Sequence, residues 1–151
     1  MIRKIGYNDP MITAAAISDV LGLPKKVSSL RDLERAVASG LPKASLPRVM
    51  QRLYGDDRRA ARESVYRVVP EATWKRRSTH LSPEESQRTE RIARVLAAAE
   101  YTWDDREDAH EWMMHPNPEL DGKTPLEASE TELGARRAEE ILNAIFFGLP
   151  A

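Results

Sequence analysis

Apolar residues recur along most of the chain at the three- and four-residue spacing of an α-helix that buries one face. Four such stripes are Leu30, Leu33 and Val37; Leu46, Val49, Met50 and Leu53; Ile92, Val95, Leu96 and Ala99; and Ala138, Ile141, Leu142 and Ile145. Strand character is confined to residues 65–69 (VYRVV), and a single run cannot build a sheet. The pattern predicts an all-α fold.

Capping residues and breakers indicate where these helices begin and end. Residues 82–85 (SPEE) combine a serine N-cap, a proline at the first helical position and a glutamate that completes a capping box. Residues 124–127 (TPLE) repeat this arrangement, and Asp9-Pro10 is a similar start for the first helix. Pro70 precedes a short basic helix over residues 71–77. Helix ends are expected at Gly22, Gly40, Gly55 and Gly148.

Charge divides the chain into two parts, although the formal net charge is only −1. Residues 58–77 hold seven Arg or Lys and two acids, whereas residues 104–111 hold five acids and one Arg. We therefore expect a helical, basic module over residues 1–80 and a second helical module over 81–151. No low-complexity linker separates them, so the two are expected to pack together. The charge asymmetry predicts two different partners.

Several classes of protein are disfavoured by features that the sequence lacks. No apolar run approaches the roughly 20 residues that span a bilayer, and the N-terminus is too short and polar for a signal peptide. The absence of cysteine removes disulfides, thiolate metal sites and a cysteine nucleophile. We expect a cytoplasmic protein with no membrane partner.

Catalytic and metal-binding motifs are also disfavoured. His110 and His115 are five residues apart, about 140° around a helix, so they cannot form the zinc pair of a protease helix. No serine lies on a glycine elbow and no glycine-rich phosphate loop is present. The sequence predicts no enzymatic activity, no cofactor and no metal.

The basic middle of the chain has the spacing of a DNA-binding motif. A helix over residues 46–53, a turn at Gly55 and a helix from Asp57 onward resemble helix-turn-helix geometry. Exposed cations on such helices can neutralise phosphates in the major groove, although composition alone fits a solvated cationic face equally well. The candidate DNA-binding residues are Arg58, Arg59, Arg62, Thr73, Lys75, Arg76 and Arg77.

The C-terminal end is unusually apolar, because bulky residues continue to within a few positions of Ala151. Phe147 and Leu149 lie off the apolar stripe of the last helix, so they are the better candidates for contact with a partner. Trp112, in contrast, is expected to be buried against the last helix near Leu142.

A set of motifs in the second half resembles the toxin-binding domain of the Xre/MbcA/ParS family of antitoxins. The family pattern, WL followed by PN, GKTPLEL and TE.GA, is matched over roughly residues 95–150. Asp121 departs from it, since a second glycine is common there, and Ala128-Ser129 replace leucines. A weaker resemblance to the family's helix-turn-helix region involves residues 40–42 and 73–77. The matching segments are Trp112-Met113, Pro116-Asn117-Pro118, residues 120–127 (LDGKTPLE) and residues 131–135 (TELGA).

The resemblance implies an antitoxin that neutralises a RES-domain toxin encoded next door, an enzyme that consumes NAD, and that represses its own operon. A homodimer is expected because operators are usually palindromic. The antitoxin's C-terminal end is expected to reach the toxin's active-site cleft, with the carboxylate of Ala151 meeting a toxin cation. The alternative is a stand-alone dimeric helix-turn-helix repressor. The candidate toxin-binding residues are Lys123, Phe147, Gly148, Leu149, Pro150 and Ala151.

Overall fold

The computed structural model describes residues 12–148, which form nine α-helices, one 3-10 helix (Pro118–Leu120) and no β-strand. The predicted all-α fold is confirmed. The strand-like run over residues 65–69 instead forms the last turn of a helix that ends at Val68, and Val69 follows it in extended backbone. The α-helices are α1 (Ala14–Leu21), α2 (Leu30–Ser39), α3 (Ser45–Tyr54), α4 (Arg58–Val68), α5 (Glu71–Arg76), α6 (Pro83–Trp103), α7 (Arg106–Met114), α8 (Pro125–Ala128) and α9 (Glu132–Phe147).

The predicted helix starts at Ser82 and Thr124 are confirmed as complete capping boxes at α6 and α8. The predicted start at Asp9-Pro10 lies outside the described residues. Within them, α1 begins after Thr13, whose hydroxyl accepts the Ala16 N–H at 3.1 Å. Local side-chain chemistry therefore sets most helix starts.

Helix α6 is the centre of the fold. It contacts α1, α2, α3 and α4 from the first half of the chain and α7, α8 and α9 from the second. Its buried residues, which include Ile92, Val95 and Leu96, belong to one continuous core. The predicted packing of the two halves against each other is confirmed. The division at residues 80/81, between α5 and α6, stays a prediction.

The segment after α5 is fixed against the segment before α3. Leu81 N–H donates to the Leu41 carbonyl at 2.9 Å, and the hydroxyl of buried Ser86 accepts the Leu41 N–H at 2.8 Å. Gly40 has a φ of 96°, and a Cβ there would lie 2.5 Å from the Leu81 carbonyl oxygen. Only glycine fits this backbone crossing, which sets the position of α5 beside α3.

Charged side chains also join α6 to both halves. Arg52 of α3 makes a bidentate ion pair with Glu100, at 2.8 Å for the closest atoms. Arg94 of α6 contacts Glu132 and Glu139 of α9 at 3.0 and 2.9 Å. Glu90 lies 3.6 Å from the same guanidinium. Three carboxylates thus share one arginine, and burial raises the pKa of both Glu90 and Glu139 above the ordinary value despite the attraction of Arg94.

We expect Glu139→Gln to stabilise the protein at pH 7. A raised pKa in the folded state means that the ionised carboxylate is disfavoured there, and this penalty disappears as the pH falls through the raised pKa towards the ordinary value of 4.5. The melting temperature should rise by about 2 °C at pH 7, as expected for less than 1 kcal/mol in a chain of this size. The difference from the parent protein should shrink towards pH 5.

The control is Glu63→Gln, because Glu63 is exposed on α4 and, among residues 12–148, forms an ion pair only with Arg59. It should leave the melting temperature unchanged at both pH values. A lower melting temperature for Glu139→Gln at pH 7 would show that the ion pair with Arg94 outweighs the burial of the carboxylate.

Candidate functional site

The first candidate site is a basic surface on α4 and α5, formed by the exposed side chains of Arg58, Arg59, Arg62, Lys75 and Arg76. The Asp57 side chain caps α4 by accepting the Ala60 N–H at 3.0 Å, after a three-residue turn from α3. The three arginines therefore lie in the first two turns of the second helix of a helix-turn-helix unit. In helix-turn-helix proteins these turns contact base edges.

Within residues 12–148, two of these five cations make ion pairs and the other three do not. Arg59 pairs with Glu63 at 3.1 Å and Lys75 with Glu71 at 3.0 Å, and the hydrogen bond that Lys75 donates to Glu71 raises the pKa of Lys75. Both pairs are exposed, so each contributes little to stability and can give way to a phosphate. Within residues 12–148, Arg58 and Arg62 make no ion pair. Thr73 is half-buried and lies 3.4 Å from the Arg76 guanidinium.

Arg77 has a different position from the other predicted DNA contacts. Its guanidinium makes two hydrogen bonds to Glu85, at 3.0 and 3.3 Å. Burial alone would raise the pKa of Glu85, but hydrogen bonds from the Ser82 N–H, Arg77 and the Ser82 hydroxyl together lower it. Arg77 thus holds the end of α5 against the first turn of α6.

The second candidate site is the loop between α7 and α8, which contains Lys123. Asn117 closes this loop: its N–H donates to the Lys123 carbonyl at 2.9 Å and its carbonyl accepts the Gly122 N–H at 3.0 Å. Asp121 and Gly122 both have left-handed backbone, with φ of 59° and 81°. The glycine common in the family at position 121 is explained by this conformation, which aspartate also tolerates.

Arg137 of α9 also holds this loop in place. Its guanidinium donates to the Asp121 carboxylate at 2.8 Å and to the Glu119 carbonyl at 2.7 Å. The hydrogen bond from Arg137 lowers the pKa of Asp121. The exposed Lys123 side chain therefore projects from an ordered loop, at a position suited to a partner.

Most of the other motif residues set the fold of this half. Leu120, Pro125 and Leu126 are buried. A Cβ on Gly134 would collide with the Ala128 carbonyl oxygen, so only glycine allows α9 to pass so close to α8. Most residues of the motif are therefore needed for folding, and only the exposed residues of the motif are available to a partner.

The third candidate site is an aromatic cluster formed by Tyr101, Phe146 and Phe147. The ring centroids of Tyr101 and Phe146 lie 5.3 Å apart, and those of Phe146 and Phe147 lie 5.0 Å apart. Phe146 is 39% exposed and Ile145 is 41% exposed, whereas Phe147 is half-buried.

The apolar spacing of the last helix predicted that Ile145 is buried, and it did not predict the exposure of Ile145 and Phe146. Phe146 contacts Tyr101 in the last full turn of α6, so little of α6 remains beyond it to cover α9. The aromatic residues that end α6 were the signal that could have revealed this surface. Gly148 ends α9 with φ of 65°, and the predicted contacts Leu149, Pro150 and Ala151 lie outside the described residues.

Trp112 differs from its prediction, because it is only half-buried. Helix α7 packs on α6 and α8, and its fully buried positions are Ala109 and Met113. The indole lies at the edge of the core, beside these two residues in the helix. Truncation of the Trp112 side chain would therefore disturb the packing of α7 more than the packing around Leu142.

Residues 12–148 contain neither a metal-binding cluster nor a membrane-spanning helix. No group of three His, Asp or Glu side chains in this range lies close enough to hold a metal ion. None of the helices described is long and apolar enough to cross a membrane.

The fold and its surfaces define a helix-turn-helix protein with a second helical domain built on the same central helix. The profile of the antitoxin Xre-like helix-turn-helix domain matches residues 32–94, and that of the antitoxin Xre/MbcA/ParS C-terminal toxin-binding domain matches residues 98–148. The chain belongs to the Xre/MbcA/ParS family of antitoxins. It is therefore the antitoxin of a toxin–antitoxin system. No curated protein matches the chain.

Proposed function

We propose that this antitoxin neutralises a RES-domain toxin encoded by the neighbouring gene and represses the shared operon as a DNA-bound homodimer. The toxin is an NAD-consuming enzyme, and the antitoxin has no catalytic activity of its own. The observation that carries the proposal is the pair of adjacent domain matches, one for DNA binding and one for toxin binding. The motif around Lys123 is the basis for a RES-type partner.

The DNA-binding half of the proposal is supported by the basic surface. Arg58, Arg59 and Arg62 are exposed at the start of α4, while Lys75 and Arg76 extend the same charge onto α5. Phosphate neutralisation by such cations supplies most of the affinity of a small DNA-binding module. Dimerisation would place two of these surfaces on a palindromic operator.

Arg62→Ala, Lys75→Ala and Arg76→Ala are expected to weaken operator binding while leaving toxin neutralisation intact. Each variant that loses a phosphate contact should reduce the slope of log affinity against log salt by about one. Gel-shift titrations of the promoter at several salt concentrations measure both effects. The matched control is Arg136→Ala, an exposed cation on α9 that lies outside the basic surface.

Unchanged affinity and slope in all three variants would place the DNA contacts elsewhere. A direct contact of Arg77 with DNA also remains a prediction. Because Arg77 pairs with Glu85, Arg77→Ala should in addition lower the melting temperature. This second effect separates it from the other cations.

The toxin-binding half is supported by the ordered loop at Lys123 and by the apolar end of α9. We propose that Lys123 and residues 147–151 contact the toxin, and that the end of the chain reaches its active-site cleft. The test is co-purification with the product of the neighbouring gene, followed by an NAD-depletion assay with and without this chain. Operator binding without any complex would favour a stand-alone repressor instead.

A further inference from the structure

An open groove of about 270 Å³ lies beside the first turns of α4, where α3, α4 and α5 meet. The half-buried side chains of Pro47, Tyr66 and Trp74 line it, and the buried residues Ala61 and Val65 lie at its base. Arg58 and Arg62 lie at its edge. The groove therefore combines flat apolar surface with two guanidinium groups.

Within residues 12–148, neither Arg58 nor Arg62 makes an ion pair. None of the described residues that line it is acidic. The nearby carboxylates of Glu63 and Glu71 are paired with Arg59 and Lys75, which do not line the groove. Positive charge next to apolar surface is the arrangement that attracts an aromatic anion.

The Trp74 ring is held in place from outside the groove. The Lys43 ammonium lies 4.5 Å from the centroid of the ring, within the range of a cation–π contact. The same ammonium donates to the Arg77 carbonyl at 2.7 Å, at the end of α5. A ring fixed in this way loses little side-chain entropy when a ligand contacts it.

We propose that this groove binds a nucleotide, with the base against Trp74 and Tyr66 and the phosphate on Arg58 and Arg62. Its volume of about 270 Å³ lies just below the roughly 300 Å³ at which small-molecule pockets begin, so the open groove would hold at most one nucleotide. The nucleotide comes either from solution or from a DNA strand. A free nucleotide would compete with the operator for the same two arginines, a consequence that rests on the proposed DNA binding by α4.

The test is calorimetric titration of the full chain with adenosine 5′-monophosphate, with adenosine and inorganic phosphate as separate probes. The nucleotide should bind more tightly than either fragment. Arg58→Gln and Arg62→Gln should each weaken its binding by about tenfold or more, the effect of one charge-assisted hydrogen bond. The control is Arg67→Gln, an exposed arginine of the same helix that does not line the groove, and it should bind the nucleotide like the parent.

A second titration adds the nucleotide to the complex with promoter DNA, where release of the DNA is expected. If the DNA binds through Arg58 and Arg62 but the free nucleotide does not bind at millimolar concentration, the free-nucleotide site is overturned and the groove serves DNA alone. Equal weakening in the Arg67→Gln control would also overturn it. Nucleotide binding without any DNA binding would uphold the groove and contradict only the proposed repressor function.

Discussion

Leu142→Ala is expected to lower the free energy of unfolding by about 2–5 kcal/mol, the usual cost of truncating a buried leucine. Leu142 has no exposed surface and belongs to the helix that packs along α6 and α8. Such a loss is a large share of the roughly 5–15 kcal/mol that stabilises a folded domain. Urea unfolding followed by circular dichroism measures it.

This variant also tests whether the two halves fold as one unit. Because α6 contributes to the core of both, we expect a single unfolding transition and a joint loss of DNA and toxin binding. The matched control is Ile145→Ala in the same helix, where 41% exposure predicts a cost within about 1 kcal/mol. Two separate transitions would show that the halves are independently stable.

Deletion of residues 147–151 is expected to leave a folded, DNA-binding protein that no longer protects cells from the toxin. The deletion spares Leu142 and Ala138, which anchor α9 in the core. It removes Phe147 and Leu149, and bulky apolar anchors at interfaces often contribute 2 kcal/mol or more, about a 30-fold change in Kd. Growth of cells that express the toxin, together with the affinity of the purified complex, measures the effect.

Two further variants make this result specific. Phe146→Ala tests the exposed ring of the aromatic cluster, and it should also weaken the complex. Leu133→Ala removes an exposed apolar side chain at the other end of α9, so it should protect cells fully. Full protection by the truncated chain with loss of protection in Leu133→Ala would move the interface to the start of α9.

The sequence by itself determined the helical fold and most helix starts. Ser82, Thr124 and their glutamates form capping boxes within four consecutive residues, so no distant part of the chain is needed to define them. Gly22 and Gly148 end helices in left-handed backbone for a similarly local reason. The motif around Lys123 likewise identified the family, because its glycines and prolines stand where the backbone requires those residue types.

Only the tertiary structure decided which side chains are available for function. Arg77 is as basic as Arg76, but the fold places it against Glu85 of α6. Phe146 continues the apolar spacing of Leu142, yet it is exposed because α6 ends close beside it. Exposure and ion pairing depend on neighbours that are distant in the sequence, whereas helix periodicity and capping depend on residues within one or two turns.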